Sequence, residues 1–179
     1  MRTILPQEKN PALREISREV PIAEIPGTHI KKLITDMKAL LKKEEYGVAL
    51  AAVQVGEPVR LFIVSGRALA RDSRNAPDEP DKHTEVPAVA DQVYINPELI
   101  KLSRGRKDKH EGCLSVRGKW GEVPRAEKAS VRAYDEHGVQ FTRGASGFLA
   151  HVFQHEMDHL EGILYTDKTT KLYDEPKDE

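Results

Sequence analysis

The sequence has little of several features that would narrow its class. A single cysteine, Cys113, stands among 179 residues. No intrachain disulfide can form, and a reducing compartment is the expectation. Long apolar runs are missing too: 39% of residues are hydrophobic and 32% charged, too polar a mix for a membrane-spanning segment. Residues 1–6 carry one arginine and only Ile4-Leu5 before a proline. They lack the apolar stretch of a secretory signal, so the cytoplasm is the expected location, with no membrane association. Charge imbalance is also absent. A net charge of -1 leaves no electrostatic footprint for nucleic acid, and no direct binding to it is expected. There are no internal repeats. The chain reads as one domain over residues 1–179, long enough to bury a core without covalent help.

One stretch stands out, Gln154-His155-Glu156-Met157-Asp158-His159-Leu160-Glu161-Gly162. Leu149, Val152, Phe153 and Leu160 recur at helical steps through and before it, and Gly162 is a fitting stop. On such a helix His155 and His159 project side by side, with Glu156 between that pair and the apolar stripe. Two neutral imidazoles in this H-E-x-x-H arrangement can hold a divalent cation while the glutamate handles the proton of a metal-bound water. A plain polar helix face is the alternative. The helical register and the partial burial it gives the triplet favour the metal. An open catalytic site takes three protein ligands, so a third is needed.

Two further stretches bear on it. Residues 47–54 place small side chains at 47, 49, 51 and 52, which either pack tightly or leave backbone accessible to a substrate chain. Gln54, closing that run, is a satisfied core amide or a donor aimed at an oxyanion. Cys113 is either a small buried hydrophobe or, with Gly112 allowing close backbone approach, a functional thiol. The hairpin expected between Cys113 and His155 can return the thiolate to the helix.

The rest of the chain gives the frame. Prolines 6, 11, 21 and 26 break residues 1–27 into short pieces. Thr28 is placed to cap a first helix carrying Ile30, Leu33, Ile34, Met37, Leu40 and Leu41 on one side, ending near Tyr46. Residues 59–64 read as a buried strand. Residues 65–91, with Arg67, Arg71 and Arg74 followed by acidic, Pro-containing patches and His83, predict a long surface loop with room for one helical turn. Residues 93–97 read as a strand ended by Pro97, 99–102 as another, and 128–135 with 139–143 as a hairpin. Residues 170–179 are a charged tail. Helix, strands and final helix predict an α+β fold, with antiparallel or mixed sheets packed around a central metal-binding helix.

Taken together, the three stretches resemble the motifs of peptide deformylases in order and spacing. The family's G-x-G-x-A-A-x-Q corresponds to residues 47–54, E-G-C-L-S to 111–115 and Q-H-E-x-D-H-L-x-G to 154–162, and the run Val123-Pro124-Arg125-Ala126-Glu127 matches as well. The resemblance implies hydrolytic removal of the formyl group from formylmethionine at the start of nascent peptides. It makes Cys113, His155 and His159 the ligands of one divalent metal per chain. Fe(II) is the family's preferred ion, with Zn, Ni or Co as substitutes. Glu156 becomes the general acid/base, and the Gln54 amide and Leu114 backbone N–H the oxyanion donors. Val48, Ala49, Glu111, Gly112, Arg125, Phe148, His151 and Val152 are implied at the substrate.

Two departures accompany the match. Ala49 replaces the second glycine of the first motif, so its φ must be negative or its methyl must be tolerated beside a substrate. Too few residues follow Lys168 for the long C-terminal helix that docks many bacterial relatives on the ribosome, and docking by that route is not expected. The competing readings are a deformylase-like relative with altered acyl specificity, a non-catalytic metal-holding module, which would need neither Glu156 nor Gln54, and an H-E-x-x-H metallopeptidase, for which a ready third ligand downstream of the helix is lacking.

Overall fold

A computed structural model describes residues 2–73 and 89–174 of the chain. Its elements in order are α1 (Thr28–Lys43), β1 (Ala49–Ala51), β2 (Leu61–Val64), α2 (Gly66–Ser73), β3 (Gln92–Leu102), β4 (Arg106–Cys113), β5 (Val116–Ala126), β6 (Lys128–Tyr134), β7 (Gln140–Ser146), α3 (Gly147–Leu160), α4 (Tyr165–Lys168) and β8 (Lys171–Asp174). The strands form a five-stranded sheet in the order β1-β2-β3-β6-β7 and a three-stranded sheet in the order β4-β5-β8. Every pairing of named strands is antiparallel. The fold is α+β as expected, and α3 lies at its centre.

β2 shows why its sequence is an unbroken apolar run. Its side chains alternate across the sheet, and both faces are covered. Leu61 and Ile63 meet Ile30, Leu33, Ile34, Met37 and Leu41 of α1 in one core. Phe62 and Val64 meet Leu149, Val152 and Phe153 of α3 in the other. There Phe62 stacks on Tyr94 with ring centroids 4.7 Å apart, and Phe153 meets Tyr94 edge-on at 5.3 Å. The five-stranded sheet is thus a layer between two helices. Gln154 fastens the other sheet to α3: its amide accepts from Ala126 N–H and donates to Ala126 C=O, both at 2.9 Å. Among the described residues no helix is long and apolar enough to cross a membrane.

Four local expectations are revised. Gly27, not Thr28, caps α1. Pro97 does not end its strand, because β3 changes partner there: residues 92–95 pair with β2, and the ladder to β6 shifts register between Ile95 and Glu98. Asn96 adopts φ 49 at that bulge and exchanges two 2.8 Å hydrogen bonds with the Val20 backbone. A proline at a bulge leaves no ladder bond unmade. Residues 66–73 are helical rather than loop, since Ala68, Leu69 and Ala70 are buried and the Ser65 hydroxyl accepts the Ala68 N–H. Residues 74–88, with His83 and the acidic patches, lie outside the described residues. In the expected tail, Lys171–Asp174 pairs with β5, placing Tyr173 opposite Trp120.

α3 ends where its sequence indicates. Gly162 has φ 71, and Ile163 N–H returns to Asp158 C=O at 2.9 Å, a left-handed C-terminal turn. A Cβ there would also lie 2.9 Å from the Arg14 carbonyl carbon and oxygen. Gly138 has a similar φ of 81 with open space around it. We therefore expect Gly138→Ala to lose about 1–2 kcal/mol from the backbone alone, and Gly162→Ala about 1–3 kcal/mol more from crowding. Urea unfolding of the two variants checks this. Equal losses would mean that the Arg14 contact yields freely.

Candidate metal centre

Three donors converge from two elements. Cys113 ends β4, and His155 and His159 lie one turn apart on α3, so the hairpins between them bring sulfur to nitrogen. The three ligand atoms lie within 4.8 Å of one another, with Cys113 Sγ 3.3 Å from His159 Nε2. Burial opposes ionising the thiol, but the charge of the neighbouring histidines outweighs it and holds Cys113 well below the ordinary cysteine range. A thiolate beside two imidazoles suits a divalent transition metal.

Glu111 sets the geometry of this cluster. Arg125 grips its carboxylate through two bonds, Nε to Oε1 at 2.6 Å and Nη2 to Oε2 at 3.0 Å. His151 Nε2 lies 2.8 Å from Oε1, and His155 Nδ1 lies 2.7 Å from Oε2. Burial raises the carboxyl pKa, but the bonds to His151, His155 and Arg125 more than offset it and hold Glu111 far below the usual range. A carboxylate only accepts, so both imidazoles donate to it. His155 then carries its proton on Nδ1 and turns Nε2 to the cluster. Arg125 Nη1 also reaches Asp158 Oδ2 at 2.6 Å, and Lys168 Nζ meets Asp158 Oδ1 at 2.6 Å.

Glu156 lies one residue beyond His155 and is 4% exposed. Burial raises its carboxyl above the ordinary value. Its Oε2 and His159 Nδ1 are buried without a hydrogen-bond partner among the described residues. Gln54 is oriented from behind: Ala51 N–H donates to Oε1 at 2.8 Å. Its Nε2 therefore faces Cys113 Sγ at 3.5 Å and Ser115 Oγ at 3.4 Å. Leu114 follows Cys113 in the tight turn between β4 and β5.

The residues expected at the substrate divide into two groups. Val48 and Phe148 are half-buried against the core beside Val152, and Arg71 caps the Phe148 ring at 4.1 Å. Phe148, His151, Val152 and His155 share a side of α3, as their spacing predicts. Glu111, Arg125 and His151 instead spend their side chains on one another. They form a buried ion cluster rather than an open pocket wall, because a buried guanidinium needs a counter-charge and acceptors for its N–H groups. His151 keeps one edge on a 210 Å³ cavity shared with Ser146 and Gly147.

Ala49 resolves its own question. Its φ is not positive, and its methyl is buried in the core shared with α3. Ser65 N–H bonds to Val48 C=O, and Ala51 N–H turns away from β2 to Gln54. By the alternation of an antiparallel pair, Ala49 directs its own N–H and C=O to the open edge of β1. Gly112 is crowded on one face by the Trp120 ring, 3.2 Å from where a Cβ would sit. Sequence reasoning gave no role to Asp158, Ser115 or Tyr165. Tyr165 stacks 6.2 Å from His155 and donates its hydroxyl to Lys119 C=O at 2.9 Å. No sequence signal pointed to Asp158, whose role depends on where Nη1 of Arg125 lies.

The donor set and the partnerless Glu156 oxygen fit a divalent cation with a water beside it. Comparison with known proteins points the same way. Residues 1–175 match the family model described as polypeptide deformylase. The peptide deformylase of Leptospira biflexa is 39% identical over 166 residues, 92% of this chain and 87% of that one. That of Symbiobacterium thermophilum is 40% identical over 171 residues, 94% and 68% of the two chains. Among solved structures, a class I type b peptide deformylase from Acinetobacter baumannii superposes with a TM-score of 0.77 at 29% identity, covering 94% of this chain and 98% of that one. The enzyme from Legionella pneumophila gives 0.75 at 33%, covering 95% and 86%. By motif, fold and relatives alike, the chain belongs to the polypeptide deformylase family, metal-dependent hydrolases that remove the formyl group from the N-terminus of newly made polypeptides.

Proposed function

We propose that Cys113, His155 and His159 hold one Fe(II), replaceable by Zn, Ni or Co, and that the site hydrolyses formylmethionyl peptides in the cytoplasm as they are made. The observation that carries this reading is the buried, partnerless Glu156 Oε2 beside three convergent donors. A divalent cation bound there supplies Lewis acidity, acidifying a coordinated water and drawing charge from the formyl oxygen.

The chain's own residues do the rest. Glu156, raised by burial toward the working pH, accepts a proton from the attacking water at Oε2 and returns it to the departing amine. Gln54 Nε2 and the Leu114 N–H flank Cys113 and donate to the oxyanion, and the Ala51 bond to Gln54 Oε1 holds that amide ready. Val48, Phe148 and Val152 form the apolar wall for the methionine side chain, with His151 at its edge. The main chain of Ala49 and Gly112 pairs with the peptide. Glu111 and Arg125 act through His155, fixing its tautomer and angle. Formyl is the smallest acyl group, so a close fit at the donors rejects acetyl by sterics.

Three outcomes follow for measurement. Glu156→Ala is expected to retain one equivalent of metal by elemental analysis and to lose roughly 10²–10⁴-fold in formate release from formyl-Met-Ala; undiminished turnover would remove it from the mechanism. Gln54→Ala is expected to lower kcat by roughly 10²-fold, whereas a change confined to KM would assign it to ground-state binding. Glu111 is held below its ordinary value of 4.5. It thus contributes stability that is fully present above that pH and drains away as pH falls below it. Glu111→Gln should be less stable at pH 7 by about 3–5 kcal/mol, as for any broken buried pair, and its Tm should fall less steeply below pH 4.5. Parallel acid profiles would show that other carboxylates govern the loss.

A further inference from the structure

Residues 44–54 and 113–117 face each other and are tied together at both ends. At the inner end Gln54 Nε2 approaches Cys113 Sγ and Ser115 Oγ. At the outer end Arg117 Nη2 donates to Glu44 Oε1 at 2.8 Å. Between the two ties runs the open edge of β1. Neither Arg117 nor Glu44 belongs to a motif, and the mechanism uses neither. Arg117 follows the turn that carries Leu114, and Glu44 directly follows α1.

The direction of a bound peptide fixes what it meets. Its formyl end must lie at Cys113 and Gln54, and Gln54 follows the C-terminal end of β1. The peptide then runs antiparallel to β1, away from Gln54 and toward Gly47. From Ala51 to Gly47 is four steps, roughly 13 Å at the rise of a strand. About the third residue of the peptide therefore arrives at the Arg117–Glu44 pair. The two charges are not equally open there: the Arg117 side chain is 62% exposed and that of Glu44 24%. An incoming side chain meets the guanidinium first.

We propose that Arg117 is a specificity-determining residue, forming with Glu44 a charged strap across the peptide exit that favours an acidic over a basic third residue. This rests on the deformylase reading of the site. An acidic side chain takes the place of the Glu44 carboxylate on Arg117, exchanging one ion pair for another. A lysine is repelled by Arg117 before it can reach Glu44. Arg67, whose guanidinium donates to the carbonyls of Glu44, Glu45 and Gly47, keeps its own charge and adds to the preference for an acidic residue.

The test compares kcat/KM for formyl-Met-Ala-Asp and formyl-Met-Ala-Lys, with formyl-Met-Ala amide, too short to reach the strap, run beside them on the metal-loaded wild-type enzyme. The Asp/Lys ratio is expected to be roughly two- to five-fold in wild type, the scale of one exposed ion pair. It should rise in Glu44→Gln, fall toward one in Arg117→Gln, where Glu44 and Arg67 both remain, and shrink in 0.5 M salt. A ratio near one in all three proteins, with the short amide still cleaved, overturns the strap and leaves the deformylase reading standing. Failure to cleave the short amide would instead strike that reading itself. Both side chains lie at the surface, and matching thermal melts of the variants separate specificity from folding.

Discussion

A single carboxylate, that of Glu111, sits where the β4–β5 hairpin, the central helix and the donor cluster meet. It is buried and ionised, and in a low-dielectric interior such a charge persists only when surrounded by donors. Arg125, His151 and His155 supply them. The remaining Nη1 of Arg125 finds its acceptor in Asp158, whose own charge Lys168 meets. The hairpin, α3 and α4 are thus locked by charge, and the angle of His155 is a by-product of that lock. Gln154 adds a neutral fastening at Ala126. Between them these contacts put Cys113 opposite the two histidines, and of the donor cluster only His155, through Nδ1, takes part in the lock.

Much of this was legible in the sequence, and the reasons differ by element. α3 could be read because its apolar residues keep helical spacing and Gly162 marks the turn. β2 could be read because a strand covered on both faces has nothing polar in it. Pro97 misled, since the penalty for proline in a strand depends on which neighbour its nitrogen faces, and only the change of partner at Ile95 settles that. α2 was legible only as a single turn, because eight residues are too short a window for helical spacing to stand out, and its stability comes from burial against α3 and the cap at Ser65. The strand at 171–174 was hidden for a related reason: its four residues are exposed and gain their conformation from pairing with β5.

The site divides in the same way. Cys113, His155, His159, Glu156 and Gln54 come together because motif spacing encodes chemistry along the chain. Glu111 and Arg125 were assigned to the pocket by resemblance, and the structure gives their side chains to each other. Hairpin register places Arg125 opposite Lys107, four residues from Glu111 along β4. Only the length of the arginine closes that gap, a fact of tertiary geometry that no spacing rule contains. Ala49 was a doubt in the sequence because a methyl there competes with a peptide if it points outward. The β pleat points it inward.

The alternation of charge from Lys168 through Asp158 and Arg125 to Glu111 also constrains how such a protein can change over time. Each member is balanced by the next, so replacing one alone strands its neighbour in the interior. Variation there has to proceed by coordinated exchanges, and few lineages have the opportunity to make them. Val48, Phe148 and Val152 answer to no such arithmetic: they touch through shape, and each can be exchanged singly for another apolar group. That apolar wall is therefore free to drift while the frame behind it stays fixed, which lets descendants reshape the surface beside the donors without first unlearning how they fold.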